Sequence, residues 1–277
     1  MVNVRLEKDL IREPQLWRLA LRIEKTMLHV VLFNTVEDNS LIYRKISLDA
    51  AAPSQLKAIE DAIYENPLLL SDFARVDCVI DTDCFMVIPP EITSTEVCEK
   101  IMSEAFPDFD GEIVTCTIAD GEAVILMGLS HGFAGFLRRT FNNPRLHHHL
   151  SPLCKYFFHK SRHGVGNTAK MYAILRAGKV DVIVVGRDSL KMANTFIFRD
   201  PMDAVYYILS CRQQLGMNST SDEMFLAGSP SARESVAPTL RQYLSYVMPV
   251  IFPSEMFKAG KEAMKAPFDL IVLPLCE

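Results

Sequence analysis

Three successive histidines, His147-His148-His149, with His131, His159 and His163 in the surrounding sequence, are the first residues whose type suggests chemistry, because imidazole nitrogen is a common ligand for zinc and its neighbours. Adjacent side chains on an extended chain alternate between faces, which leaves at most two of the three for one ion. No Cys-x-x-Cys, His-Glu-x-x-His or matching carboxylate spacing lies nearby, so the run reads as a surface or strand-end stretch and no metal is assigned. Asp81-Thr82-Asp83 would set two carboxylates on one face if the strand before it continued, an arrangement that holds Mg²⁺ or does acid–base work. A polar turn between two apolar runs accounts for the same residues and is preferred.

Ser130-His131-Gly132 and Ser161-Arg162-His163 each bring a hydroxyl and an imidazole together, but no Gly-x-Ser-x-Gly accompanies them and no catalytic residue is assigned. There is no Walker A sequence and no Gly-x-Gly-x-x-Gly. His163-Gly164-Val165-Gly166-Asn167 precedes a strand, whereas a phosphate loop follows a strand and opens a helix. Arg138-Arg139 and Arg145, with Phe136 and Phe141, form a small basic and aromatic group of the kind that touches nucleic acid. Near the C-terminal end of a helix the same arginines are simpler as surface charge that suits the dipole. Tyr156, Phe157 and Phe158 read as mostly core.

The elements that must position these residues follow a repeated order. Leu19, Leu21 and Ile23, then Leu28, Val30 and Leu32, then Ile42, Ile46 and Leu48 alternate with period two, which predicts three antiparallel strands. Ser54 caps a helix with Leu56, Ile59 and Ile63 at helical spacing, and a strand follows at Val76–Ile80, before Pro89-Pro90. In the second half, Lys170–Leu175 and Val180–Val185 flank the turn Arg176-Ala177-Gly178-Lys179, and Ala193–Arg199 supplies a third strand. Asp200-Pro201-Met202-Asp203 then opens a helix whose face carries Ala204, Ile208, Cys211 and Leu215 and which Gly216 closes; Met224–Ala227 is the next strand, followed by a helix through Leu240 and Leu244. Between the two halves lie a helix at Thr93–Ala105, a hairpin of Ile113–Ile118 and Val124–Leu129 around Asp120-Gly121, and a helix at Leu150–His159. The order strand, strand, strand, helix, strand occurs twice, which predicts two α/β lobes with mixed sheets, residues 1–150 and 151–277.

Composition agrees with two packed lobes: the chain has 277 residues, 49% hydrophobic and 23% charged, with a mean hydropathy of +0.12. A net charge of −5 gives no bulk attraction to nucleic acid or to an anionic membrane. The N-terminal stretch MVNVRLEKDLIREPQLW is too interrupted by charge for a secretory leader, and the apolar runs fall far short of the roughly 20 residues that span a bilayer. Seven cysteines, an odd number set mostly in apolar segments, read as free thiols of a cytoplasmic protein.

A duplicated unit of three antiparallel strands, helix and strand resembles the actin-like ATPase fold, which is ribonuclease H-like and is shared by actin, sugar kinases, the Hsp70 ATPase domain and PilM. Within that superfamily the whole chain is similar to a Bacteroidetes family of unknown function, DUF3822. In active members the first hairpin carries an Asp-x-Gly-Ser/Thr turn whose acid organises Mg²⁺ and whose glycine lets backbone N–H groups reach phosphate. The resemblance places Arg22 at that acid and Glu24 near that glycine, within ALRIEKTMLHVVLF at residues 20–33. Arginine ligates no cation, and Glu24 brings a negative charge and a Cβ. In the second hairpin Ile174 takes the acid position and Arg176 stands near the glycine, with Gly178 kept; the adenosine motif Gly-Gly-x-Ser/Thr is half kept in Ala227-Gly228-Ser229-Pro230.

Two readings follow from the resemblance. The first is a non-catalytic scaffold with degenerate phosphate loops, a pseudo-ATPase without cofactor that recognises a protein partner. The second is a divergent nucleotide-binding or kinase-like protein that holds ATP and Mg²⁺ through substitute residues, with Lys25, Arg176, Gly178, Gly228 and Ser229 lining the nucleotide site. The leaning is away from an enzyme.

Overall fold

A computed structural model of the chain describes residues 5–34, 36–162, 168–186 and 188–276. The stretch His163–Asn167, weighed above as a phosphate loop, lies outside the described residues, and with it His163 of the histidine group. The chain divides into two compact units: Met1–Cys116, Val124–Leu153 and Phe252–Glu277 form one, Thr117–Ala123 and Cys154–Ile251 the other.

In the first unit β1 (Trp17–Ile23) pairs antiparallel with β2 (Met27–Asn34), and β2 with β3 (Ile42–Ser47), as the alternation predicts. Helix α1 (Gln55–Tyr64) begins where Ser54 Oγ accepts a hydrogen bond from the Lys57 N–H at 3.1 Å, and it buries Ala58, Ile59, Ala62 and Ile63. That crossover returns the chain as β4 (Arg75–Ile80), parallel to β1. An excursion follows: β5 (Phe85–Ile88), β6 (Glu112–Ile118) and β7 (Ala123–Leu129) make a separate sheet in the order β5-β7-β6, and helix α2 (Thr95–Ala105), between β5 and β6, shares with it a core of Ile88, Cys98, Met102, Val124 and Leu126. Helix α3 (Phe133–Thr140) leads to β8 (Arg145–His148), which pairs parallel with β4 and completes a main sheet in the order β3-β2-β1-β4-β8. Helix α4 (Leu150–Arg162) follows, and the division between the units falls within it, after Leu153.

The second unit repeats the plan. Strands β9 (Lys170–Arg176), β10 (Lys179–Val185) and β11 (Leu190–Ile197) are antiparallel, helix α5 (Pro201–Gln214) crosses over, and β12 (Glu223–Ala227) returns parallel to β9. Helix α6 (Pro230–Tyr243) leads to β13 (Val247–Pro249), giving the order β11-β10-β9-β12-β13. Asp200 forms the predicted N-terminal box: its Oδ1 accepts from the Met202 N–H at 2.8 Å, while Asp203 Oδ2 accepts from the Asp200 N–H at 3.1 Å. Ala204, Ile208 and Cys211 join the core with Met171, Ala173, Val182 and Leu240. Leu215 does not, because the helix has ended: it is the C-cap residue, 38% exposed, and Gly216 turns the chain away at φ +63°.

The last segment corrects the lobe division expected at residue 150. Residues 252–276, with the short helix α7 (Phe268–Val272), pack on the main sheet of the first unit. Strand β1 is buried on both faces: Leu19, Leu21 and Ile23 point one way, and Ala20 and Arg22 point the other, Ala20 beside Val31. Met256, Ala263, Leu270, Ile271 and Leu273 cover that second face around Ala20, Val31, Tyr43 and Val79. Each such buried side chain contributes about 2 kcal/mol of apolar burial, and this draws the chain back to its first sheet.

Candidate functional site

The first hairpin turns at Lys25-Thr26, with the Glu24 N–H donating to the Met27 carbonyl at 2.9 Å, and no residue from 24 to 26 takes a positive φ. Lys25 is exposed at the tip. Arg22, one turn of the pleat earlier, is 4% exposed and sits on the face that the C-terminal segment covers. Its three guanidinium nitrogens each meet a carboxylate: Nη2 lies 2.9 Å from Asp81 Oδ2, Nε 3.0 Å from Asp269 Oδ2 and Nη1 3.3 Å from Glu24 Oε1. Asp81 and Asp269 are 5% and 4% exposed. Burial pushes the Glu24 carboxyl up, but a hydrogen bond from His29 and the Arg22 charge outweigh it and hold the pKa below the ordinary carboxylate value. His29 Nδ1 is 2.7 Å from the Tyr43 hydroxyl, whose pKa burial, then Glu24, pushes up. Tyr43 in turn fixes the C-terminal segment, its N–H donating to Glu262 Oε2 at 2.9 Å.

The second hairpin has the same kind of lock. Arg176 donates from Nε and Nη2 to the two oxygens of Asp181, each at 2.7 Å, and Thr195 Oγ1 donates to Asp181 Oδ1 at 2.8 Å. Asp181 is 1% exposed, the single acid in the apolar strand KVDVIVV. Gly178 makes the turn at φ +69°. Gly228 follows β12 at φ +125°, where an added Cβ would stand 2.6 Å from the Leu175 carbonyl oxygen. Ser229 then caps α6, its Oγ accepting from the Ala232 N–H at 3.2 Å. The structure thus gathers Arg176, Gly178, Gly228 and Ser229 in the second unit, where Gly228 packs on Leu175, the residue before Arg176; Lys25 belongs to the first unit. The close approach makes a prediction: Gly228→Ala lowers the stability of the second unit by about 2 kcal/mol, read as an earlier urea midpoint for amides of β9 and β12 in hydrogen exchange.

The histidine run is a strand end, as expected, but it is not on the surface. His148 and His149 are fully buried and His147 is largely so. Each has a separate task. His147 Nε2 donates to Asp77 Oδ1 at 2.9 Å. His148 Nδ1 accepts from the Leu150 N–H at 3.3 Å while its Nε2 donates to the Thr82 carbonyl at 3.1 Å, and its ring lies 4.3 Å from that of Phe85. His149 Nδ1 faces Asp81 at 3.5 Å. Among the described residues, no three of histidine, cysteine, aspartate and glutamate are grouped as a metal site. Asp81 and Asp83 do not act as a pair, since Asp81 joins the Arg22 cluster and Asp83 is exposed. Phe136 and Phe141, the aromatic half of the basic group, are core residues, and so are Phe157 and Phe158. His131 and Ser130 lie in the loop before α3, His131 against Asp110 at 2.9 Å. Asp77 and Asp269 were missed by the sequence reading; in Asp77 the signal was an acid inside the apolar strand RVDCVI.

Two sheets of one strand order and one pattern of pairing define a duplicated fold, and a family model described as "Protein of unknown function (DUF3822)" matches residues 9–247. The chain belongs to the DUF3822 family. Among solved structures, this DUF3822 chain is similar to a Bacteroides thetaiotaomicron protein of actin-like ATPase fold and unknown function, at 23% identity and a TM-score of 0.79, over 96% of this chain and 98% of that one. It is also similar to a chain of the PilM-PilN type IV pilus biogenesis complex, at 15% identity and a TM-score of 0.52, over 95% of this chain and 98% of that one. The fold of the DUF3822 chain is accordingly actin-like, two ribonuclease H-like lobes each built on a mixed sheet. No curated protein matches it.

Proposed function

We propose that this chain is a non-catalytic protein of the actin-like ATPase fold, with phosphate hairpins that no longer take phosphate, and that it acts as a scaffold for a protein partner. The observation that carries the reading is Arg22. Where active members of the superfamily need an acid for Mg²⁺, this side chain supplies a buried cation whose nitrogens are already held by Asp81, Asp269 and Glu24. The second hairpin supports the same reading, because Arg176 is engaged with both oxygens of Asp181 and is not spare for phosphate. Ser229 is engaged as a helix cap, and Gly228 is explained by its contact with Leu175. Magnesium-bound ATP therefore does not fit the residues present at either hairpin.

The fold itself is compatible with partner binding: in the PilM-PilN complex a chain of this fold is found with another protein. The reading sets the protein in the cytoplasm, in keeping with seven cysteines that are all free thiols; among the described residues no helix is long and apolar enough to cross a membrane.

A thermal-shift series with ATP, ADP and GTP, each with and without Mg²⁺, tests the proposal. A ligand at about 100 times its dissociation constant stabilises by roughly 2.7 kcal/mol, so an unchanged melting temperature at millimolar nucleotide is the expected result. A magnesium-dependent rise would overturn it in favour of nucleotide binding.

A further inference from the structure

The first unit holds a polar series that neither hairpin uses. Asp77 on β4, His147 on β8 and Cys116 on β6 are linked in that order. Arg75 fixes the far end, its Nε 2.7 Å from Asp77 Oδ2. Asp77 Oδ1 accepts from His147 Nε2 at 2.9 Å, the His147 ring interacts electrostatically with Cys116, and Cys116 Sγ lies 3.0 Å from Ser151 Oγ. The strand pattern explains the convergence: Asp77 pairs with Arg145 and Val79 with His147, so Asp77 and His147 share a face as diagonal neighbours. Cys116 points inward between the exposed Thr115 and Thr117.

These are the parts of an activated thiol: a nucleophile, a base in reach of it, and a carboxylate that orients the base. We propose that Cys116 is a modification site, a reactive thiol that takes small electrophiles of the peroxide class, with His147 as its base and Asp77 as the residue that positions His147. Cys116 passes its proton to His147. The thiolate attacks one oxygen of hydrogen peroxide, an S–O bond forms as the O–O bond breaks, and the leaving hydroxide takes the proton back from His147. Sulfur is oxidised by two electrons to a sulfenic acid, and the peroxide is reduced to water.

The electrostatics agree. Burial pushes the Cys116 thiol up, but the neighbouring His147 imidazole and the bond to Ser151 outweigh it, and the pKa falls below the ordinary thiol value. Burial likewise opposes the charged form of His147, yet Asp77 and Cys116 raise its pKa to about 9. The charged and titratable groups facing Cys116 are His147, then Asp77 and Arg75 behind it. Other cysteines show the contrast: burial pushes the thiols of Cys78, Cys84 and Cys211 up. Access suits a small reagent, since Cys116 is 8% exposed and the His147 side chain 21%.

The test is cysteine-resolved mass spectrometry on the full chain. Iodoacetamide is applied from pH 5 to 10, and hydrogen peroxide is applied with dimedone as the sulfenate trap. Cys84, which is more accessible, is the internal comparator. The expected result is that Cys116 alkylates about tenfold faster than Cys84 at pH 7, half-maximally at a pH below the roughly 8.5 of a free thiol, and that dimedone marks Cys116. His147→Gln moves the half-maximal pH up, and Asp77→Asn moves it the same way by less. Faster labelling of Cys84 at pH 7 would overturn the proposal, as would a Cys116 profile centred at or above the free-thiol value. If His147→Gln does not fold, the wild-type profile decides alone.

Discussion

Arg22→Met is expected to destabilise the first unit by about 3–5 kcal/mol. The guanidinium is the cation among three carboxylates, and two of these, Asp81 and Asp269, are almost wholly out of water. Removing it leaves like charges facing one another in a medium that screens them poorly, which costs far more than the lost methylene contacts. The single tryptophan, Trp17, opens β1 and is 8% exposed, so its fluorescence reports this unit during urea unfolding. Because the chain has two units, its unfolding is not assumed to be one step, and the local signal is the one to read. Arg22→Met with Asp81→Asn and Asp269→Asn should recover a good part of the loss, since the buried charges go with their partner. A loss under about 1 kcal/mol in the single variant would mean that Arg22 does not hold the cluster together.

Asp181→Ala is the counterpart in the second unit, with an expected loss of about 3 kcal/mol. The carboxylate accepts two hydrogen bonds from Arg176 and one from Thr195 at 1% exposure, and alanine leaves all three donors without it. Arg176 is 16% exposed and regains some water, which keeps the loss at the lower end of the range for broken buried pairs. Exchange of the β9 and β10 amides is expected to speed up about a hundredfold, since 1.4 kcal/mol corresponds to a factor of ten. Unchanged exchange in those strands would show that the hairpin is held by its backbone ladder alone.

Much of the architecture was legible because it rests on local signals. Period-two alternation gave the three antiparallel strands of the first sheet, the turn at Gly178 gave the hairpin of the second, and the side chains of Ser54 and Asp200 marked the starts of the crossover helices. The third strand of the second unit was expected at residues 193–199 and runs Leu190–Ile197, the usual scale of error at strand ends. The fifth strands, β8 and β13, escaped because RLHH and VMP are too short to show a period, and one ends in proline. The return of residues 252–276 to the first sheet escaped because that segment is built of short turns without periodicity, and only the uncovered face of β1 calls for it.

The site was less legible, for a different reason. Arg22 and Arg176 were seen, but an arginine in sequence looks like surface charge; Asp81 and Asp269, which pair with Arg22, come from segments remote in the chain, and Asp181, which pairs with Arg176, stands on the next strand of its hairpin. What the sequence did carry was the anomaly itself. Arg22 within LALRI, Asp77 within RVDCVI and Asp181 within KVDVIVV are each a charge inside an apolar strand. A strand buried on both faces has no solvated side for such a group, so each one implies a paired charge elsewhere.

The C-terminal return also sets an order of events during synthesis. Residues 154–251 of the second unit are made before the segment that covers the first sheet, so that unit can assemble while Ala20, Val31 and Val79 still stand uncovered. The strands made first are therefore finished last. Until residues 252–276 arrive, an apolar sheet face and the half-paired Arg22 are open to chaperones or to neighbouring nascent chains.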